Sequence, residues 1–406
     1  MSALLAVSLG LLTGAIPLEV SDEPDGLELL TVRTGPEQEC HVRLVVRAGA
    51  AQDPPKLSGM AHVLEHITLS KHINWSSNLE LNAATFSDAT IYTINTDADD
   101  CAAQLESLLR HVSDPDLLAQ RLNRERDVIS HEERLRTGLR RDPGLDSLLS
   151  SSSIQAVLGT TSTRAAIAPD TLQQFFMKHY QPANMTLIVV SALSTEAVRG
   201  AIHRGFRLPP SMPDEKVARR VPALALPIQG PSLVRGSVTT AVRMPSPKGC
   251  GLLGSLLELR LMDPSGQEVV TTQVVCLLRA GAHWLVISSA GEDLDRERVA
   301  QRTWKLVTRA KVAAVTRAER KLLERRAASA AKVIPTARGA DQVAEDLAQY
   351  ARWYTGAQIA GFVPRTSPEF DEDLLDLQRL APSLIDTNTV IWGYQPDETA
   401  EIRPEP

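Results

Sequence analysis

The 406-residue chain is predicted to fold as an α+β protein built from two halves of similar design. Three observations predict this. Segments with the alternating pattern of strands are interleaved with segments of helical period. Their order before residue 207 is echoed after residue 227. Between them "RLPPSMPDEKVARRVPALALP", residues 207–227, is rich in Pro and reads as a linker. The length also exceeds one ordinary core and implies two of roughly 200 residues each. The expected boundaries are 1–210 for the first half, 211–227 for the linker and 228–406 for the second half.

Each element follows from local pattern. In the first half "VRLVVRAGA" is a strand, "SGMAHVLEHITL" a helix and "ATIYTINT" a strand closed by acidic residues. "CAAQLESLLRHV", "RLNRERDVISHEERLR" and "DTLQQFFMKHY" follow as helices, and "NMTLIVVSAL" is the closing strand. The second half offers strand "SVTTAVRM", helix "LLGSLLELRLM", and strands "EVVTTQVVCLL" and "HWLVISSA". Acidic "GEDLDRERV" opens a helix, "TRAERKLLERRAASAA" and "DQVAEDLAQYARWY" continue as helices, and "TNTVIWGYQ" closes as a strand.

Composition narrows the function class. The chain is 43% hydrophobic and 23% charged, and its net charge of −6 argues against a nucleic-acid partner. Cys40, Cys101, Cys250 and Cys276 form no C-x-x-C pair and read as reduced, mostly buried thiols of a cytosolic protein. The apolar start "MSALLAVSLGLLTGAIP" has no Lys or Arg before Arg33 and is too short to span a membrane. It is expected to be a strand or docking arm. No membrane association is expected, and the cytoplasm is the expected compartment, with a secreted or periplasmic form left open.

Chemistry enters at "HVLEH". His62 and His66 stand four apart, so on a helix their imidazoles share a face and can reach one metal ion. Glu65 lies on the same broad face and is placed to hold the water that a metal would polarise. H-x-x-E-H is the inverzincin signature. A catalytic zinc needs a third protein ligand and an open position for water. "RERDVISHEERLR" offers Glu125, His131, Glu132 and Glu133. Mixed charges on a helix also mark a solvated face. Glu125 and Glu132, seven apart, share one stripe, so one can bind metal while the other supports a ligating histidine. His131 points away from that stripe, and Glu132 is the chosen ligand.

At this point the chain resembles the pitrilysin/insulinase family of metallopeptidases, in particular its short branch that includes mitochondrial processing peptidase. Four stretches carry the resemblance: "SGMAHVLEH", "NAATFSDATIY", "ERDVISHEE" and "LQQFFMKHYQPANMTLIVV". The resemblance implies two homologous α/β-sandwich halves, each a mixed or antiparallel sheet with helices, in a clamshell-type metallopeptidase fold. It implies one Zn2+ per chain held by His62, His66 and Glu132, with Glu65 as catalytic base and Glu125 as supporting acid. It further implies that Asn82 and Ala83 lie on an edge strand that pairs with the substrate backbone.

The chain departs from the family in two places. The connection "LSKHINWSSNLELNAA" is short, so the entrance beside the metal is expected to be open. Trp75 there reads as packing and His72 as a bystander. Active relatives also bring an Arg and a Tyr from a C-terminal half to the developing oxyanion, where such donors carry much of the rate. Here "LRLMDPSGQEVVTTQVV" supplies Arg260 and no Tyr after Gly266, and the second half has no H-x-x-E-H. The second half is therefore expected to be an inactive, structural one. The expected function is a zinc-dependent endopeptidase for peptides or unfolded segments. A homologous partner would supply the missing pair in a heterodimer, with a homodimer as the alternative. Leader removal from a small precursor peptide is the narrower expectation. The rival is a non-catalytic scaffold or processing-partner subunit of the same fold.

Overall fold

The computed structural model describes residues 17–70, 79–137, 157–209, 229–231, 237–244, 250–261, 271–279, 282–290, 315–330, 337–362 and 390–394. Trp75, His72, the first sixteen residues and the helix expected from 291 lie outside them. Strands β1 (Leu18–Asp22), β2 (Glu28–Arg33) and β3 (Cys40–Val46) lead into helix α1 (Met60–Ser70). Strands β4 (Glu80–Thr85) and β5 (Thr90–Thr96) precede helices α2 (Cys101–Ser113) and α3 (Ala119–Thr137). Short α4 (Thr161–Ala166), α5 (Pro169–His179), β6 (Met185–Ser191) and α6 (Thr195–Gly205) complete this part. The first sheet runs in the order β1-β2-β6-β3-β5-β4. It is mixed: β2 and β6 are parallel, and the other neighbours are antiparallel.

The central strands β2, β3 and β6 are buried on both faces, and side-chain alternation decides which residue meets which layer. On β3, Cys40, Val42, Leu44 and Val46 face a core shared with α1, α2, α5 and α6. Val45 faces the opposite core, together with Leu30, Val32, Ile91, Ile188 and Val190. Each such Val or Leu side chain contributes on the order of 1.5–3 kcal/mol on burial.

The second sheet is built from β7 (Gln229–Pro231), β8 (Ser237–Met244), β9 (Thr271–Arg279), β10 (Ala282–Ala290) and β11 (Val390–Tyr394), in the order β7-β11-β8-β10-β9. Helix α7 (Cys250–Leu261) packs against β9, and helix α8 (Arg317–Ala330) packs against α7. The α+β class with mixed sheets and helices is thus as the sequence predicts.

Helices α9 (Ala337–Ala351) and α10 (Gly356–Phe362) cover the second face of the first sheet. The contact is apolar at Ala340, Val343, Ala344, Leu347 and Ala348 and charged at its border. Arg43, on the same face as Val45, reaches Asp341 and Glu345 of α9. Arg47 donates to the carbonyl of Ala351 at 3.3 Å, and Arg352 donates to Asp88 at 2.8 Å.

One expectation fails here. Cys40 and Cys101 are not free thiols: they form a disulfide across a Cα separation of 5.6 Å. Cys40 pairs in register with Thr96, and a 3-10 turn at Ala98–Asp100 carries the chain back to Cys101, so strand pairing closes a 61-residue gap in sequence. Cys276 is also disulfide-bonded, and no cysteine is free among the described residues.

Asp346 of α9 is 1% exposed and accepts a hydrogen bond from Gln342 Nε2 at 2.9 Å. Burial pushes its carboxyl up to about 7, opposed by Gln342 and reinforced by the neighbouring charge of Glu345. The folded protein therefore holds this proton where the unfolded chain releases it near 3.8. The stability this gives is complete below the unfolded value and is lost as pH rises through about 7. Asp346→Asn removes the titration, so the variant's Tm should gain on the wild type between about pH 4 and pH 8. A Tm difference that stays flat across that range contradicts the assignment.

Candidate metal centre

Helix α1 is fixed first at its N-terminus. The carboxylate of Asp53 accepts backbone N–H groups from Gly59 (2.7 Å), Ala61 (2.9 Å) and Met60 (3.2 Å). These are donors that the helix itself leaves unsatisfied. Burial raises the Asp53 carboxyl to about 6 against the lowering effect of those bonds. Gly59 has φ of +93°, and a Cβ there would stand 2.7 Å from the carbonyl oxygen of Leu158. Only glycine fits that turn. The same approach lets Thr163 Oγ1 donate to the carbonyl of Ser58 at 2.8 Å.

Helix α3 faces α1 through a stripe of Leu122, Glu125, Ile129 and Glu132, of which the first three are buried. It is held from behind by Arg164 of α4, which is 1% exposed. Arg164 donates to Glu133 at 2.6 Å, to Ser130 at 3.2 Å and to the carbonyl of Leu158 at 2.8 Å. The loop that touches the start of α1 therefore also grips α3.

Between the two helices the side chains converge. His62 Nε2 and His66 Nε2 lie 3.6 and 3.4 Å from Glu132 Oε2. The imidazoles meet edge to face with centroids 4.7 Å apart. Donor atoms of His62, Glu65 and His66 all fall within 4.8 Å of one another. Tetrahedral zinc with bonds of about 2.0–2.1 Å requires ligand separations of roughly 3.3–3.4 Å, so the donor set fits that ion. On the far side of His66, Nδ1 lies 3.5 Å from Glu125 Oε2, the arrangement in which a carboxylate orients a ligating imidazole. His62 and Glu125 are almost closed off, with side chains 5% and 6% exposed. His66 and Glu132, at 19% and 23%, open to solvent.

The electrostatics favour a cation. Burial alone would lower His66, but hydrogen bonds to Glu125 and Glu132 and the charge of Glu65 raise it to about 9. The Glu125 carboxyl is held below its ordinary value: burial pushes it up, and His66, Ser70 and Arg121 outweigh that.

Of the other expected residues, Asn82 and Ala83 sit on β4, the last strand of the sheet, opposite Thr93 and Tyr92 of β5. Asn82 is exposed. His131 is exposed on the outside of α3, and Glu133 turns to Arg164. Arg260 lies on α7 and pairs with Glu319 at 2.8 Å. Asp53, Thr85 and Arg164 carry no role in the sequence reading. Thr85 stands inside the quoted "NAATFSDATIY", which is the one available signal.

Residues 28–135, which include His62, Glu65, His66, Glu125 and Glu132, match the family model described as "Insulinase (Peptidase family M16)". Over this stretch, about a quarter of its length, the chain is similar to that peptidase family. Among curated M16 relatives, a protein described as "Probable zinc protease PqqL" from Haemophilus influenzae is 23% identical over 198 residues. That match takes in 43% of this chain and 21% of the relative, so it spans about a fifth of the relative's length. The crystal structure of the first half of the periplasmic protease PqqL from Escherichia coli superposes with a TM-score of 0.70 at 16% identity, covering 94% of this chain and 92% of that one. The peptidase M16 inactive domain from Pseudomonas fluorescens superposes with a TM-score of 0.63 at 14% identity, covering 93% and 97%. At such identities these likenesses establish the fold, that of M16 clamshell-type protease halves.

If Glu125 orients His66 for a metal, Glu125→Gln should weaken zinc binding about 10–100-fold in competition with a chromophoric chelator. Wild-type zinc affinity in that variant contradicts the role.

Proposed function

We propose that this chain is an M16-type protein and the zinc-bearing half of an endopeptidase. The observation that carries the reading is the approach of His62 Nε2 and His66 Nε2 to one oxygen of Glu132 with the Glu65 carboxylate alongside. His62, His66 and Glu132 would hold the ion. Zinc bound there supplies Lewis acidity toward a water and the scissile carbonyl. Glu65 takes the proton from the attacking water and returns it to the leaving amine. The outer edge of β4, with Asn82 and Ala83, holds an extended peptide by main-chain hydrogen bonds. Peptides and unfolded segments are the substrates, a class that includes precursor leaders.

The similarity to an inactive M16 domain means that the fold does not by itself decide activity. What separates this chain from a scaffold subunit is its complete set of His62, Glu65, His66 and Glu132. The proposed partner rests on the second half, where the stretch "LRLMDPSGQEVVTTQVV" has Arg260 but no Tyr to accompany it. A homologous subunit supplies that pair, and a second copy of this chain is the alternative. The Cys40–Cys101 disulfide favours an oxidising compartment over the cytoplasm.

The test is digestion of a mixed peptide library by the protein recovered with its native partner, beside the same assembly carrying Glu65→Gln. Mass spectrometry should find cleavage by the first and a loss of at least about 100-fold in the second, with zinc retained. An intact library with the native assembly, or equal cleavage by both, overturns the proposal.

A further inference from the structure

A general base needs a fixed carboxylate as well as a nearby one. Glu65 is 5% exposed, and its Oε2 accepts a hydrogen bond from Thr85 Oγ1 at 2.6 Å. Thr85 is the last residue of β4. Its hydroxyl has one proton to give. The neighbouring Thr90 Oγ1, 3.3 Å away, donates instead to the carbonyl of Ala48 at 2.9 Å. That leaves the Thr85 proton for the carboxylate, the stronger acceptor.

The surroundings make this geometry rigid. Thr90 is completely buried, and beyond it Tyr180 and Tyr92 share a hydrogen bond of 2.8 Å. Tyr180 also meets Thr90, and Tyr92 meets Thr68 of α1, whose own hydroxyl donates to Leu64 at 2.8 Å. A continuous layer of hydroxyls thus runs from the end of β4 back to the helix that carries Glu65. Nothing in it can rotate without leaving a buried polar atom unsatisfied.

We propose that Thr85 is a positioning residue for Glu65, fixing Oε2 so that Oε1 carries the proton transfer. This rests on the peptidase reading above. The same bond ties the base to the strand whose outer edge receives the substrate, so the base and the scissile bond are registered to one element. A displacement of either by about 1 Å is enough to cost two orders of magnitude in rate.

The test compares Thr85→Val, which keeps shape and strand propensity but removes the hydroxyl, with Thr85→Ser, which keeps the hydroxyl. The Val variant should lose about tenfold or more in kcat with KM within about twofold, and the Ser variant should recover most of it. Zinc affinity and Tm should stay near wild type in both. A loss of packing alone would not be rescued by Ser, which is the smaller side chain. A second readout needs no activity: in crystal structures of the zinc-loaded variants, Glu65 should turn away in Val and stay in place in Ser. Wild-type kcat in the Val variant, equal impairment of both variants, or an unmoved Glu65 in Val overturns the inference. If the wild-type assembly cleaves nothing but Glu65 still moves in the Val crystal, the peptidase reading falls and the positioning role of Thr85 stands.

Discussion

The fold depends most on the meeting of α1 and α3, where Glu65, Glu125 and Glu132 gather around His62 and His66. Like charges gathered in a largely buried site are costly unless a cation stands among them. In the protein alone, a proton on His66 answers that demand, which is why the imidazole holds it up to about 9. On the proposed reading a divalent ion would answer it better, because it would engage both imidazoles and Glu132 at once. The stretch similar to the M16 family, residues 28–135, includes all five of these side chains.

The rest of the first half serves to keep these two helices in register. Asp53 fixes where α1 begins, and Gly59 permits the turn that starts it. Arg164 fixes α3 from behind by binding Glu133, Ser130 and the loop at Leu158. The sheet beneath α1 is itself clamped from its other face by α9 through Arg43, Asp341 and Glu345. A buried arginine with several partners is a costly group to retain unless it specifies one arrangement, and here the arrangement it specifies is the angle between two chemically loaded helices.

How much of this was legible in the sequence follows from the range of each interaction. His62, Glu65 and His66 are helix neighbours, and Glu125 and Glu132 are a helix stripe, so periodicity alone put each set on one face. That the two faces meet could be read only through the resemblance, because nothing in local pattern pairs α1 with α3. Arg164 and Thr85 escaped because their partners lie 31 and 20 residues away with no period linking them. The disulfide escaped for the same reason: Cys40 and Cys101 are joined by strand register, which spacing does not reveal. The docking of α9 is the extreme case. Asp341 and Glu345 were legible only as residues of an expected helix, and they meet Arg43 across separations of 298 and 302 residues.

The most direct measurement of the central claim is zinc K-edge X-ray absorption on the protein loaded with one equivalent of zinc. The account predicts a single four-coordinate shell of nitrogen and oxygen at about 2.0–2.1 Å, with the outer-shell scattering of two imidazoles. A sulfur shell at about 2.3 Å, or zinc without imidazole scattering, would contradict it.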